Sequence, residues 1–179
     1  MTNTKGYTLI ELMVAVGLFS IIMLLASGAY LMMINLNQQA QNISNGIDNL
    51  SFALETMTRN IRTGSAYSCG VFGNDCPSGG TTFTFKNQDG VNITYSLSGT
   101  SLQQVTNGPT GSSQSLLTDS SVNITSLIFY AYGTKGASQG DYVQATVTMI
   151  VSGTVSAGSG KPSQSFTVET GATMRGSDL

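Results

Sequence analysis

The chain has 179 residues, of which only 9% are charged, with a net charge of −2, two cysteines and neither histidine nor tryptophan. Seven Lys and Arg in this length are too few to build a phosphate-neutralising surface, so no nucleic-acid partner is expected. Without histidine the Ser-His-Asp and Cys-His arrangements are impossible, and two cysteines alone cannot complete a zinc site.

In chain order, residues 1–6 (M-T-N-T-K-G) are too short to hold structure and read as a leader. From Leu12 to Ile34 there is no charged side chain. At ~1.5 Å per residue that run reaches roughly 34 Å as a helix, enough to cross a ~30 Å hydrocarbon core. Glu11 stands alone at its start. A carboxylate in an apolar span costs up to about 2.5–3.5 kcal/mol near the bilayer centre, so an acid there suggests a function. Lys5 precedes the span and no Lys or Arg follows until Arg59, which predicts a cytoplasmic N-terminus and an exported remainder. A secretory signal would be shorter and would end at a small-residue cleavage site. A plain anchor would leave Glu11 without a purpose.

The stretch K-G-Y-T-L-I-E-L and the apolar run behind it closely resemble the leader and mature N-terminus of type IV pilins and pseudopilins. That resemblance implies a peptidase cut after Gly6 on the cytoplasmic side and N-methylation of Tyr7, where the family usually has Phe. It implies that Glu11 pairs with the amino terminus of an adjacent subunit in a fibre core, each charge offsetting the burial of the other. The partners it implies are other pilin or pseudopilin subunits, the prepilin peptidase, the inner-membrane assembly platform and membrane lipid. The location it implies is the inner membrane and then a type IV pilus, competence pilus or type II secretion pseudopilus. Major pilins often carry a proline partway down this helix, and here none precedes Pro77, leaving Gly17 and Gly28 as the soft points. The long helix ending in T-R-N-I-R-T-G before a β head looks most like a minor pilin or minor pseudopilin. The alternative of another class is a membrane-anchored extracellular β domain that binds a ligand and never polymerises.

Beyond the span, Asn35–Asn42 is polar but has no Pro or Gly to stop a helix. Ile43, Ile47, Leu50, Leu54, Met57 and Ile61 then recur at alternating spacings of four and three, one apolar stripe with Asp48, Asn49, Glu55, Thr56 and Arg59 off it. A stripe shorter than three heptads without paired flanking charges suits packing on the chain's own sheet better than a coiled coil. Gly46 interrupts it at a cost of about 1 kcal/mol. Arg59 and Arg62 suit the last turn, and Gly64 can close the helix in a left-handed conformation. One helix from Tyr7 to about Thr63 is therefore predicted, with residues 7–34 transmembrane and residues 35–63 amphipathic.

Residues 64–179 turn rich in Gly, Ser, Thr and Asn, and the apolar period becomes two. Thr82–Phe85 and Val91–Leu97 alternate on either side of Lys86-Asn87-Gln88-Asp89-Gly90, whose D-G pair signals a hairpin. Ser98–Ser121 reads as a connection with weak strand character near Leu102–Val105. Strands are expected at Val122–Tyr132, Tyr142–Val151 and Ser165–Met174. The fold class is α+β, a long N-terminal helix packed on an antiparallel β-sheet head.

Cys69 and Cys76 would lie on the exported side, where disulfides persist. A bond closing their small loop would contribute roughly 2–3 kcal/mol in the chain-entropy model, a structural role. The loop before Tyr142 could set Asp141 and backbone oxygens around Ca²⁺, as in some pseudopilin heads. It lacks D-x-D spacing, and a turn residue capping a strand is the plainer reading. Lys86, Lys135 and Lys161 lie near serines or threonines in loops and read as solvated, so neither an enzyme nor a cofactor is expected. Asn42, Asn49, Asn92 and Asn123 each begin N-x-[ST], which in a bacterial-type chain this rich in those residues reads as accidental.

Overall fold

The computed structural model describes residues 6–70, 74–109, 111–135 and 143–175. One helix, α1 (Leu9–Arg62), is followed by β1 (Ser65–Ser68), β2 (Cys76–Gly80), β3 (Phe83–Lys86), β4 (Asn92–Ser98), β5 (Ser101–Gly108), β6 (Gly111–Leu116), β7 (Val122–Tyr132), β8 (Thr146–Val155) and β9 (Gln164–Thr173). The expected α+β layout is present, and its β part divides into two antiparallel sheets where one was expected. Their orders are β1-β3-β4-β5-β6 and β2-β7-β8-β9. The chain forms two compact units that meet between Gln41 and Asn42, within α1.

In the first unit every residue from Leu9 to Gln38 is exposed. This part of α1 is long and apolar enough to cross a membrane. Its two serines turn their hydroxyls back onto the helix. Ser20 Oγ donates to Val16 O at 2.8 Å and Ser27 Oγ to Met23 O at 2.7 Å. Each hydroxyl is thus satisfied by the carbonyl one turn back and needs no water.

In the second unit α1 buries Gly46, Leu50, Ala53, Leu54, Met57 and Ile61. The predicted stripe is therefore corrected at its start: Ile47 is 48% exposed and Ile43 only half-buried. The reason lies in Gly46. A Cβ there would overlap Val155 Cγ1 of β8, so the missing side chain lets the backbones approach and brings the Gly46–Ala53 edge of the helix inward. The break in the apolar pattern is the contact itself. Farther along, Asn49 Oδ1 accepts from Asp119 N at 3.1 Å, fixing the helix to the turn before β7. Ser121 donates its N–H (2.8 Å) and hydroxyl to Asp119 Oδ1, which lowers that carboxyl's pKa from its usual range.

The predicted hairpin forms with Phe83 opposite Tyr95 and Phe85 opposite Ile93. Its turn is held by Asn87, whose Oδ1 accepts from Asp89 N (3.0 Å) and Val91 N (2.9 Å), and Gly90 takes a φ of 75°. Alternation of inward residues on both sheets assembles Tyr67, Phe83, Phe85, Tyr95 and Phe129 with neighbouring ring centroids 5.3–6.4 Å apart. Burial pushes the Tyr95 phenol up to about 12, against the opposing effect of the Asn60 side chain bonded to it at 2.9 Å.

The end of α1 also differs from expectation. Gly64 is absent from the positive-φ residues, and Ala66 takes that conformation at 52°. Gly64 N donates to Ile61 O at 3.0 Å, and the Phe85 ring occupies the space that a Cβ on Gly64 would need. The hydroxyl of Tyr67 bridges Ile61 O (2.6 Å) and Gly64 O (2.8 Å). Close packing demands this glycine, and left-handed geometry does not.

Three strands were not expected. β1 and β2 are short and lie at sheet edges, the place in a sheet where a proline such as Pro77 is tolerated. β6 pairs with β5 from Gln103↔Leu116 to Gly108↔Gly111, although every one of its residues is exposed. β8 begins at Thr146 and runs on to Val155. Asp141 and Tyr142 lie outside the described residues.

Candidate functional site

The segment Gly6–Glu11 forms the start of α1. Gly6 and Tyr7 precede the helix, Tyr7 is 91% exposed, and nothing lies within 4 Å of where a Gly6 Cβ would stand. Thr8 is the N-cap: its carbonyl accepts the first helical bond from Leu12 N at 3.2 Å. Its hydroxyl accepts from Glu11 N at 3.3 Å, while Glu11 Oε2 accepts from Thr8 N at 3.0 Å and from the Thr8 hydroxyl at 2.9 Å. This is a capping box, in which two orphan amides at the helix start are satisfied reciprocally. The negative charge also sits where the helix dipole favours it.

The capping box went unread in the sequence, although T-L-I-E before an apolar run carries its pattern. It gives Glu11 a role within its own chain. It also divides the carboxylate: Oε2 is engaged by Thr8, and Oε1 has no hydrogen-bond partner among the described residues. A cation placed beside Glu11 could use that second oxygen without dismantling the cap.

Away from this segment, Cys69 and Cys76 are joined, with Cα atoms 6.3 Å apart. Cys69 directly follows β1 of one sheet and Cys76 opens β2 of the other, so the bond ties the two sheets at one edge. Asp75, beside it, accepts from Thr134 N and Oγ1 at 3.0 Å each. Among the described residues no three His, Cys, Asp or Glu cluster to hold a metal ion. The loop considered for Ca²⁺ at Asp141 lies outside them. Lys86, Lys135 and Lys161 are exposed. None forms a hydrogen bond with a Ser or Thr side chain among the described residues.

Residues 1–27 match the family model described as the prokaryotic N-terminal methylation motif. That motif is the signature of type IV pilins and pseudopilins, and here it contains Gly6, Tyr7, Thr8, Glu11 and the exposed apolar helix as far as Ser27. The motif and the long apolar helix together fit an inner-membrane-anchored protein of pilin-like type. No curated protein and no solved structure matches the chain.

Proposed function

We propose that this chain is a structural subunit, a minor pilin or minor pseudopilin, of a type IV pilus-like fibre or a type II secretion pseudopilus. The observation that carries the reading is the methylation motif over residues 1–27, continuous with a helix exposed on every side from Leu9 to Gln38. The prepilin peptidase cuts after Gly6 and the new amino terminus at Tyr7 is N-methylated. Residues 7–34 hold the subunit in the inner membrane, residues 35–63 continue the helix, and the head of residues 64–179 is exported. On assembly the apolar helices of neighbouring subunits pack together. Oε1 of Glu11 then takes the cationic amino terminus of the next subunit while Thr8 keeps Oε2. Both charges leave water, and each is acceptable only because the other is there.

The test compares wild type with Glu11→Gln, which preserves a capping-box side chain and removes the charge. Processed protein, lacking residues 1–6 by intact mass, is quantified in the inner membrane and in sheared fibres. Removing one member of a buried ion pair costs about 3–5 kcal/mol. Incorporation should therefore fall by roughly two or more orders of magnitude, with processing unchanged. Equal incorporation would return the chain to the anchored extracellular domain that does not polymerise.

A further inference from the structure

The chain has only three arginines, Arg59, Arg62 and Arg175, and all three line one groove of about 630 Å³ in the second unit, with Glu55, Thr58 and Gln144 among the other residues around it. The four lysines lie elsewhere in the sequence. In a chain of net charge −2 this concentration of one residue type is a local reversal of sign.

The bland account of Arg59 and Arg62 is that they cap the carbonyls at the end of α1. Those carbonyls have other donors. Thr63 Oγ1 serves Arg59 O (3.3 Å) and Asn60 O (3.2 Å), Gly64 N and the Tyr67 hydroxyl serve Ile61 O, and the Arg175 backbone N–H serves Arg62 O at 2.8 Å. The guanidinium groups are therefore free of that task. Arg59 makes one ion pair, with Glu55 at 3.3 Å, and its side chain is 66% exposed, so water competes with that bond. The guanidinium groups of Arg62 and Arg175 have no ion-pair or hydrogen-bond partner among the described residues. Gln144 Nε2 commits one of its two N–H donors to Met174 O.

We propose that this groove is a binding site for an oxyanion, a carboxylate or phosphate group held between Arg62 and Arg175. Arginine suits this better than lysine because its planar fork offers two parallel N–H bonds to such a group. Glu55 keeps Arg59 partly neutralised, so the groove takes one small oxyanion group and does not track an extended polyphosphate chain. Nothing in this site depends on the processed N-terminus.

The test uses the full chain in detergent micelles with ¹⁵N-labelled arginine, whose three side-chain Nε–H signals are assigned by the loss of one in each Arg→Lys variant. Inorganic phosphate and a tetraglutamate peptide are titrated separately at ionic strength held constant with chloride. Saturable shifts of the Arg62 and Arg175 signals are expected. Arg62→Gln should weaken binding about ten- to a hundredfold, the effect of losing a charge-assisted hydrogen bond. Arg62→Lys should weaken it as well, and Lys161→Gln should not. Saturation by phosphate identifies a free anion as the source, and saturation by the peptide alone identifies a carboxylate carried on a protein. Shifts that never saturate with either probe, or an Arg62→Gln variant that binds as wild type does, would overturn the site.

Discussion

The two parts of α1 differ in how densely apolar residues are placed along them and in what surrounds those residues. From Leu9 to Gln38 apolar side chains occur on every side and all are exposed, Leu24 to 74%. Between Gly46 and Ile61 most of them keep to one face, with Ile47 and Phe52 left exposed, and Met57 and Ile61 reach 0% exposure. The helix is unbroken, so the difference lies in the density and period of its apolar side chains. A helix apolar all round requires an apolar solvent, whereas a stripe requires a protein surface. The serines make the same point. Ser20 and Ser27 bond back to their own helix, while polar groups of the second part reach other elements, as Asn60 does to Tyr95.

The hardest test of this contrast removes one ring from each environment. Phe129→Ala empties a fully buried position and should destabilise the head by about 3–5 kcal/mol, read as a lowered denaturant midpoint of the detergent-solubilised chain by near-UV circular dichroism. Phe19→Ala, at a position 58% exposed, should leave that midpoint where it was. Equal losses from the two would break the comparison.

A smaller effect comes from glycine. Gly46→Ala gains roughly 1 kcal/mol of helix propensity but forces a methyl group into Val155, and overpacking of this kind costs about 1–3 kcal/mol. The head should lose stability or at best break even. Gly17→Ala and Gly28→Ala meet nothing within 4 Å and should leave the head's melting temperature unchanged while slowing amide exchange around them. A Gly46→Ala head that is more stable than wild type would show that the close approach to β8 is dispensable.

The mildest effect is local to the first turn. Thr8→Val removes the hydroxyl that closes the capping box, worth about 1 kcal/mol of helix-end stability. Amide exchange at Glu11 should quicken severalfold with the head untouched. Thr8→Ser, which keeps the hydroxyl, should behave as wild type. No change in Thr8→Val would mean that Glu11 alone holds the first turn.

What could be read in advance followed from patterns that burial imposes. The four-and-three spacing located the inner face of α1 from Leu50 to Ile61, and the alternation around Asn87–Gly90 located the β3–β4 hairpin, because a buried face repeats with the period of its element. β6 left no such trace. Its G-S-S-Q-S-L is exposed throughout and is held by backbone pairing to β5, which any side chain permits. Gly46 and Gly64 were read through propensity and capping, yet each is glycine because another chain segment stands where its side chain would be. That segment lies far along the sequence and local reading cannot see it. Of the N-terminal site, Gly6, Tyr7 and Glu11 were legible as a motif. Thr8 carries no charge to mark it, and its bond to Glu11 depends on the cap geometry at the start of α1. The arginine groove needed the fold, which brings Arg175 to Arg62.

The cover of the helix is also late in arriving. Asn42 donates to Ala157 O across a separation of 115 residues, Gly46 rests on Val155, and Arg62 O waits for the N–H of Arg175. A ribosome therefore completes the apolar stripe of α1 long before it makes β7, β8 and β9. A chain paused midway presents Leu50, Leu54, Met57 and Ile61 to whatever is nearby, and such long-range closure is slow relative to local hairpins. The early-made β3–β4 hairpin offers the stripe only a partial first shelter. The head must therefore be completed promptly and whole, and there is a period during synthesis when this stripe calls for a chaperone or for speed.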